Sequence, residues 1–301
     1  MLLLDGKALA DRILAQAKAK LQAVRFERAP GLAVVLVGAR PDSERYVAMK
    51  TKAAVRVGVN ASFGVTLDAR ASESDIVQAV QRLNDNPAVD SVLVQLPLPA
   101  PVNQERVLRA IRAEKDVDGF HPVNMGQLAR WGELTRRHQA TGPLAFNVPC
   151  TPRGVIALLD EYKIPMRGKR AVVLGRSNIV GLPMALMLMH RDATVTVAHS
   201  RSSDVEAITR EADIVIAAMG RPHAVRASWV KPGATVVDVG ISVGADGKLA
   251  GDVDFAAVAN VAGALTPVPG GVGPLTVAML IEGCVESYLR FTSSSPPSPA
   301  V

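Results

Sequence analysis

Tyr46 and Lys50 lie four residues apart in a segment patterned as a helix over residues 43–57. That spacing puts a phenol and an ammonium on one helical face. Gln95 closes a strand-like run at residues 89–96, just before Leu96-Pro97-Leu98-Pro99. Open α/β sheets collect their ligands outside the carboxyl ends of the strands, so the three side chains can converge there. A lysine in such a place offers proton transfer; an amphipathic helix with a solvated amine satisfies the same spacing. Asp116 and Asp118 stand two residues apart in a polar loop at 116–124. They can accept from a heterocycle or clamp a metal, but no third ligand group is close in sequence, and Asp-Gly loops are commonly plain turns. The five histidines are scattered, and Cys150 and Cys284 form neither a disulfide framework nor a zinc spacing. No metal is expected.

A second constellation lies at residues 171–183 and 193–203. An apolar strand at 169–174 breaks at Gly175, a helix opens, and a second strand ends in His199-Ser200-Arg201. This is half of a nucleotide-binding βαβ unit, with Gly175 turning backbone N–H groups and a helix N-terminus towards a diphosphate. Ser177 and Val180 occupy slots that glycines fill in the full fingerprint, so a plain strand-turn-helix also fits. Sites that prefer NAD carry a carboxylate at the end of the second strand. Its absence here, with Arg176 and Arg201 nearby, favours the 2′-phosphate of NADP.

These residues need a scaffold, and the 301-residue chain, 49% hydrophobic, can bury two cores. Strand-like and helix-like segments alternate almost from end to end, which predicts α/β architecture with a mainly parallel sheet, the first half forming an α/β unit of its own. The spacing predicts helices over 7–24, 43–57, 72–84 and 103–113, with strands at 32–37, 61–67 and 89–96. Ser72 and Asp75 read as a capping box. Residues 131–148 read as an irregular linker or insertion. Thr151 and Pro152 then read as N-cap and first helical residue. Further strands are expected at 213–217 and 235–239, and a helix of about four turns after the loop 266–276 ends at residue 290. Residues 292–301 are too rich in Ser and Pro to pack. No apolar run approaches the length of a membrane span, and the first four residues are too short for a signal peptide, so a cytoplasmic protein is expected. The formal charge of +6 is dispersed and only 4% of residues are aromatic. Nucleic-acid binding therefore has little support, and an anionic small molecule accounts for the excess equally well.

Taken in order, Ser43-Glu-Arg-Tyr46-Val-Ala-Met-Lys50, Val94-Gln95-Leu-Pro-Leu-Pro99, Asp116-Val-Asp-Gly-Phe-His-Pro-Val-Asn124, Pro149-Cys-Thr-Pro152, Gly175-Arg-Ser-Asn-Ile-Val-Gly181 and residues 266–276 form a pattern. Over residues 1–290 it resembles the bifunctional methylenetetrahydrofolate dehydrogenase/cyclohydrolase family. The resemblance implies a folate-facing α/β domain, residues 1–147 plus 275–291, and a Rossmann-type domain, 148–274, with the folate in the cleft between them. It also implies a homodimer, a folate substrate with polyglutamylated forms included, and a place in one-carbon metabolism and purine biosynthesis. By the same resemblance Lys50 is the catalytic lysine, Gln95 supports it, Tyr46 stacks on the pterin and Asp118 hydrogen-bonds its ring. Leu96, Pro97, Gly273, Pro274 and Thr276 border the substrate. Gly175, Arg176, Ser177, Ile179, Ser200, Arg201 and Ile241 meet NADP. Two departures stand out: the 129–148 segment looks longer than usual, and Ala198 replaces a common cysteine.

The implied chemistry divides in two. Hydride loss from the methylene carbon is helped by the flanking folate nitrogens and needs positioning more than a base. Hydrolysis of the methenyl product needs proton transfers, and Lys50 is the candidate. Two rival readings remain. An NADP-dependent dehydrogenase of the shikimate type leaves Gln-Leu-Pro-Leu-Pro and Pro-Gly-Gly-Val-Gly-Pro without a purpose. A catalytically silent dinucleotide-binding protein leaves the Lys50, Gln95 and Asp118 set without one. A formate-activating activity lacks the G-x-x-x-x-G-K-[ST] loop it would need.

Overall fold

The computed structural model describes residues 1–24, 28–136, 145–243 and 249–293. These form two compact units. One comprises Arg12–Gln127 with 145–148 and 280–293; the other comprises Met1–Asp11, 128–136 and Pro149–Met279.

In the first unit three parallel strands lie in the order Val65–Leu67, Leu32–Val37, Ser91–Val94. The central strand, Leu-Ala-Val-Val-Leu-Val, is buried at every position, the continuous apolar run that a parallel strand covered on both faces requires. Ala33, Val35, Val37 and Val92 pack with Ile76, Val80 and Leu83 of the Glu73–Asp85 helix and Val107 of Gln104–Ala110. Ser72 and Asp75 form the expected capping box. The Pro41–Val57 helix ends at Gly58, whose φ of 102° lets its N–H reach the carbonyls of Ala54 and Val55.

The second unit holds six parallel strands in the order Leu2–Leu3, Ala264–Leu265, Thr235–Asp238, Ile214–Ala217, Arg170–Leu174, Thr194–Ala198. Val172, Leu174, Val215, Ala217, Val236 and Leu265 fill one side of its core. Ser242–Val243 and Leu249–Ala250 add a separate antiparallel pair.

Several expectations are corrected. The expected first domain takes in residues 1–147, but Leu2 and Leu3 pair with Ala264 and Leu265 of the second unit's sheet. The strand at 61–67 shortens to Val65–Leu67, because Asn60 turns the chain by accepting from the N–H of Ser62. The irregular stretch from residue 131 begins as helix, Pro122–Arg136. The Trp131 ring meets His190 edge-on, and the His190 Nε2 lies 2.8 Å from the Leu128 carbonyl, contacts that hold the helix where its pattern is weak. The rest of the expected insertion, 137–144, falls outside the described residues, as does 294–301 of the expected tail. Thr151 is not an N-cap: the helix is Cys150–Glu161 with Pro149 before it, and the Thr151 hydroxyl lies 3.0 Å from that of Thr276. The final helix, Val272–Ser293, starts inside the expected loop and passes residue 290, since a proline such as Pro274 fits a first helical turn. This helix is apolar and long enough to span a membrane by composition alone. Leu275, Ala278, Leu280, Ile281, Cys284, Val285 and Tyr288 are all buried within the protein, as in a core helix.

Candidate active site

The Pro41–Val57 helix carries both Tyr46 and Lys50. Lys50 is 8% exposed, and its Nζ donates to Gln95 Oε1 at 2.9 Å. The Gln95 amide is fixed in turn, its Nε2 donating to the Leu96 carbonyl at 2.8 Å. The strand end therefore aims the amide and the amide aims the amine, while an ammonium has three donors and this contact uses one. Tyr46, one turn earlier, is half-buried. Burial, with a smaller push from Asp42 and an opposing one from Arg45, holds its phenol above the usual tyrosine value, so it stays protonated at neutral pH. Leu96 is half-buried and Pro97 exposed beside Gln95.

Asp116 and Asp118 have different surroundings. Asp116 is 1% exposed; its Oδ2 accepts from the His121 N–H at 2.7 Å and from Asn124 Nδ2 at 2.9 Å. Its carbonyl accepts from Gly119, at φ 72°, and from Asn147 Nδ2. Among the described residues its Oδ1 is buried with no hydrogen-bond partner, and burial, helped by the charge of Asp118, pushes the carboxyl up to about 7. Asp116 thus ties the turn together, and Asp118 rides on it half-buried, where a carboxylate can accept from a ring N–H. No cluster of metal-ligating groups occurs among the described residues.

In the second unit Gly175 follows the Arg170–Leu174 strand at φ 131°, and a Cβ there would run into the Ala218 carbonyl. A Cβ on Gly181, the first residue of the Gly181–His190 helix, would collide with the Gly175 carbonyl. Both glycines are therefore demanded by close backbone approach. Ser177 Oγ accepts from the N–H groups of Val180 and Gly181 and shapes the turn. Arg176 and Ser177 are exposed and Ile179 is half-buried. The Thr194–Ala198 strand ends in His199-Ser200-Arg201, with Ser200 and Arg201 exposed. Hydroxyl and guanidinium donors without a carboxylate suit a 2′-phosphate, so the residues present fit NADP. Ile241, 40% exposed, follows the Thr235–Asp238 strand, and its Cδ1 lies 3.4 Å from the Cβ that Gly273 lacks. Gly273, Pro274 and Thr276 occupy the first turns of Val272–Ser293 instead of a loop.

Tyr46, Lys50, Gln95, Leu96, Pro97 and Asp118 all belong to the first unit, and Gly175, Arg176, Ser177, Ile179, Ser200, Arg201, Ile241, Gly273, Pro274 and Thr276 to the second. Sequence reasoning passed over Asp238 and Asp252, both buried, the first of them closing the strand that precedes Ile241. The available signal was an acid closing each of two apolar stretches, Thr235–Asp238 and 249–252.

Comparison with known proteins bears on both units. A family model described as the tetrahydrofolate dehydrogenase/cyclohydrolase catalytic domain matches residues 4–118, and the corresponding NAD(P)-binding domain matches 149–292. Bifunctional protein FolD of Acidiphilium cryptum is 53% identical over 279 residues, covering 93% of this chain and 95% of the relative. Bifunctional protein FolD 2 of Arabidopsis thaliana is 49% identical over 296 residues, covering 96% and 95%. The methylenetetrahydrofolate dehydrogenase-cyclohydrolase of Trypanosoma brucei, solved with NADP and an inhibitor, superposes with a TM-score of 0.89. It is 40% identical, covering 98% of this chain and 99% of that one.

Proposed function

The chain belongs to the tetrahydrofolate dehydrogenase/cyclohydrolase family, and we propose that it uses Lys50 and Gln95 to run the second of two linked reactions. The first is NADP-dependent oxidation of 5,10-methylenetetrahydrofolate to the 5,10-methenyl compound; the second is hydrolysis to 10-formyltetrahydrofolate. The observation that carries this reading is the buried hydrogen bond from Lys50 to Gln95.

Gly175, Arg176, Ser177, Ile179, Ser200, Arg201 and Ile241 would hold NADP. When bound, NADP supplies a hydride acceptor for the methylene carbon. The carbocation left behind shares its charge with the flanking folate nitrogens, so the protein contributes positioning. Tyr46 supplies an aromatic face to the pterin and Asp118 an acceptor for its ring N–H. In the hydrolytic step water attacks the methenyl carbon, a proton leaves the attacking oxygen and a folate nitrogen departs with a proton. Lys50 Nζ is the group that exchanges those protons, and Gln95 Oε1 keeps it aimed. Family membership displaces the shikimate-type reading, and the assembled Lys50–Gln95 pair argues against a silent binder.

The same proposal includes a homodimer. Among the described residues Thr194–Ala198 is the outermost strand of its sheet, and Val197 on it and Leu182 and Met189 on the helix packed against it are exposed at 37%, 46% and 44%; unpaired apolar edges favour association. Light scattering on the eluting protein tests this. A cytoplasmic location, acceptance of polyglutamylated folates and a supply role in purine biosynthesis rest on the family resemblance. The activity is tested by mixing protein with methylenetetrahydrofolate and NADP, then with NAD, and following reduced nicotinamide and methenyl absorbance. NADPH formation together with methenyl decay faster than the spontaneous rate supports both steps; NADPH formation without accelerated decay removes the role assigned to Lys50.

A further inference from the structure

Two buried carboxylates in the second unit take no part in the chemistry above. Asp252, fully buried, accepts from three successive backbone N–H groups: Met219 at 2.5 Å and Gly220 at 2.9 Å on Oδ2, and Arg221 at 2.7 Å on Oδ1. Asp238, 3% exposed, accepts from the N–H groups of Asp252 and Gly240 on Oδ1, at 2.9 and 3.0 Å, and of Val253 on Oδ2, at 2.9 Å. Asp238 is itself anchored, its N–H donating to Thr266 Oγ1 at 2.7 Å. The packing is close: a Cβ on Gly251 would strike the Asp238 carboxylate, and one on Gly240 would strike that of Asp252.

The segments so held flank the dinucleotide loop. Ala218, next to Met219, is the residue whose carbonyl packs beneath Gly175. Gly240 precedes Ile241. Both segments leave the carboxyl ends of parallel strands, Ile214–Ala217 and Thr235–Asp238, where α/β sheets bind their ligands. Only a carboxylate presents two acceptor oxygens to three converging N–H groups; an amide offers one.

Resting on the reading of this unit as the NADP site, we propose that Asp252, held in place by Asp238, is a positioning residue for the dinucleotide: it fixes the Met219–Gly220–Arg221 turn, and with it the floor under Gly175, while Asp238 fixes the segment that presents Ile241. Hydrolysis of the methenyl compound requires no dinucleotide, so the two activities separate this role from general stability.

The test uses the full chain with Asp252→Ala, Asp252→Asn and Asp238→Asn. Titration calorimetry gives the Kd for NADP; steady-state assays give the KM for NADP and, without dinucleotide, the rate of methenyl hydrolysis. For Asp252→Ala the expected result is a Kd and KM for NADP raised about tenfold or more, the scale of one or two lost charge-assisted hydrogen bonds. Methenyl hydrolysis should stay within about twofold on that scale. The two Asn variants, each keeping one acceptor oxygen, should raise Kd about threefold, and they carry the test if the Ala variant does not fold. Unchanged NADP affinity in folded variants, or equal loss of both activities in proportion to lost folded protein, overturns the proposal. Failure of the unaltered protein to bind NADP overturns the dinucleotide site itself, and the positioning role with it.

Discussion

The lysine cluster and the dinucleotide loop are built from opposite materials. Around Lys50 the working atoms belong to side chains, an amine, an amide and a phenol held by one helix and one strand end. Around Gly175 they are largely backbone, and the side chains matter by being small or absent. Chemistry that moves protons needs particular functional groups, whereas recognition of a diphosphate needs N–H groups and room for close approach. The first kind of site fails when a group is deleted; the second fails when an atom is added.

That contrast can be broken experimentally. The largest effect is expected from Lys50→Met, which removes the proposed proton carrier: methenyl hydrolysis should fall by about 10²- to 10⁴-fold, while NADP-dependent oxidation keeps a measurable rate. Equal loss of both activities in the folded variant would refute the division of labour. Gly175→Ala is the converse change. Its positive φ and the Ala218 carbonyl make a methyl group cost about 1–3 kcal/mol, so dehydrogenase kcat/KM should drop about ten- to a hundredfold with hydrolysis retained.

A third prediction sharpens the comparison through pH. Asp116 in one unit is pushed up to about 7 and Asp238 in the other to about 6, each mainly by burial. Because both folded values lie above the ordinary carboxylate value, their stabilising contributions are complete below about pH 4 and are lost as the pH climbs through about 6 to 7. Between about pH 5 and 7 Asp116 alone should cost about 2 kcal/mol. Melting curves should shift downward over this range, and Asp116→Asn should flatten the shift. The smallest effect is expected from Arg176→Ala. Loss of one exposed cation proposed to face the 2′-phosphate should reduce preference for NADP over NAD by about tenfold or less, read as the ratio of kcat/KM for the two cofactors.

Legibility in the sequence followed the same divide. The Leu32–Val37 strand and the Ser72 capping box could be read because local patterns determine them. Lys50 and Gln95 could be named because few residue types suit the role proposed for them, although their 2.9 Å contact joins segments 45 residues apart. The Leu2–Leu3 strand was invisible: two residues carry no periodicity, and their partner lies near the other end of the chain. The start of Val272–Ser293 was hidden because Gly-Gly-Val-Gly-Pro reads as a loop until tertiary packing overrides propensity. Asp252 escaped notice because an acid that serves backbone N–H groups looks, in one dimension, like any acid in a turn.

The parallel pairing of Leu2 and Leu3 with Ala264 and Leu265 also has a temporal meaning. During vectorial synthesis the Leu2–Leu3 strand cannot find its neighbour until residues 264 and 265 have also left the ribosome. The two residues, 46% and 45% exposed even when paired, spend that interval as an unpaired apolar segment. The earliest-made piece of the sheet is therefore among the last to be installed, and such distant closure is slow by nature. A nascent chain stalled before residue 265 would carry its own first strand unplaced, a state a chaperone or protease could distinguish from the finished protein.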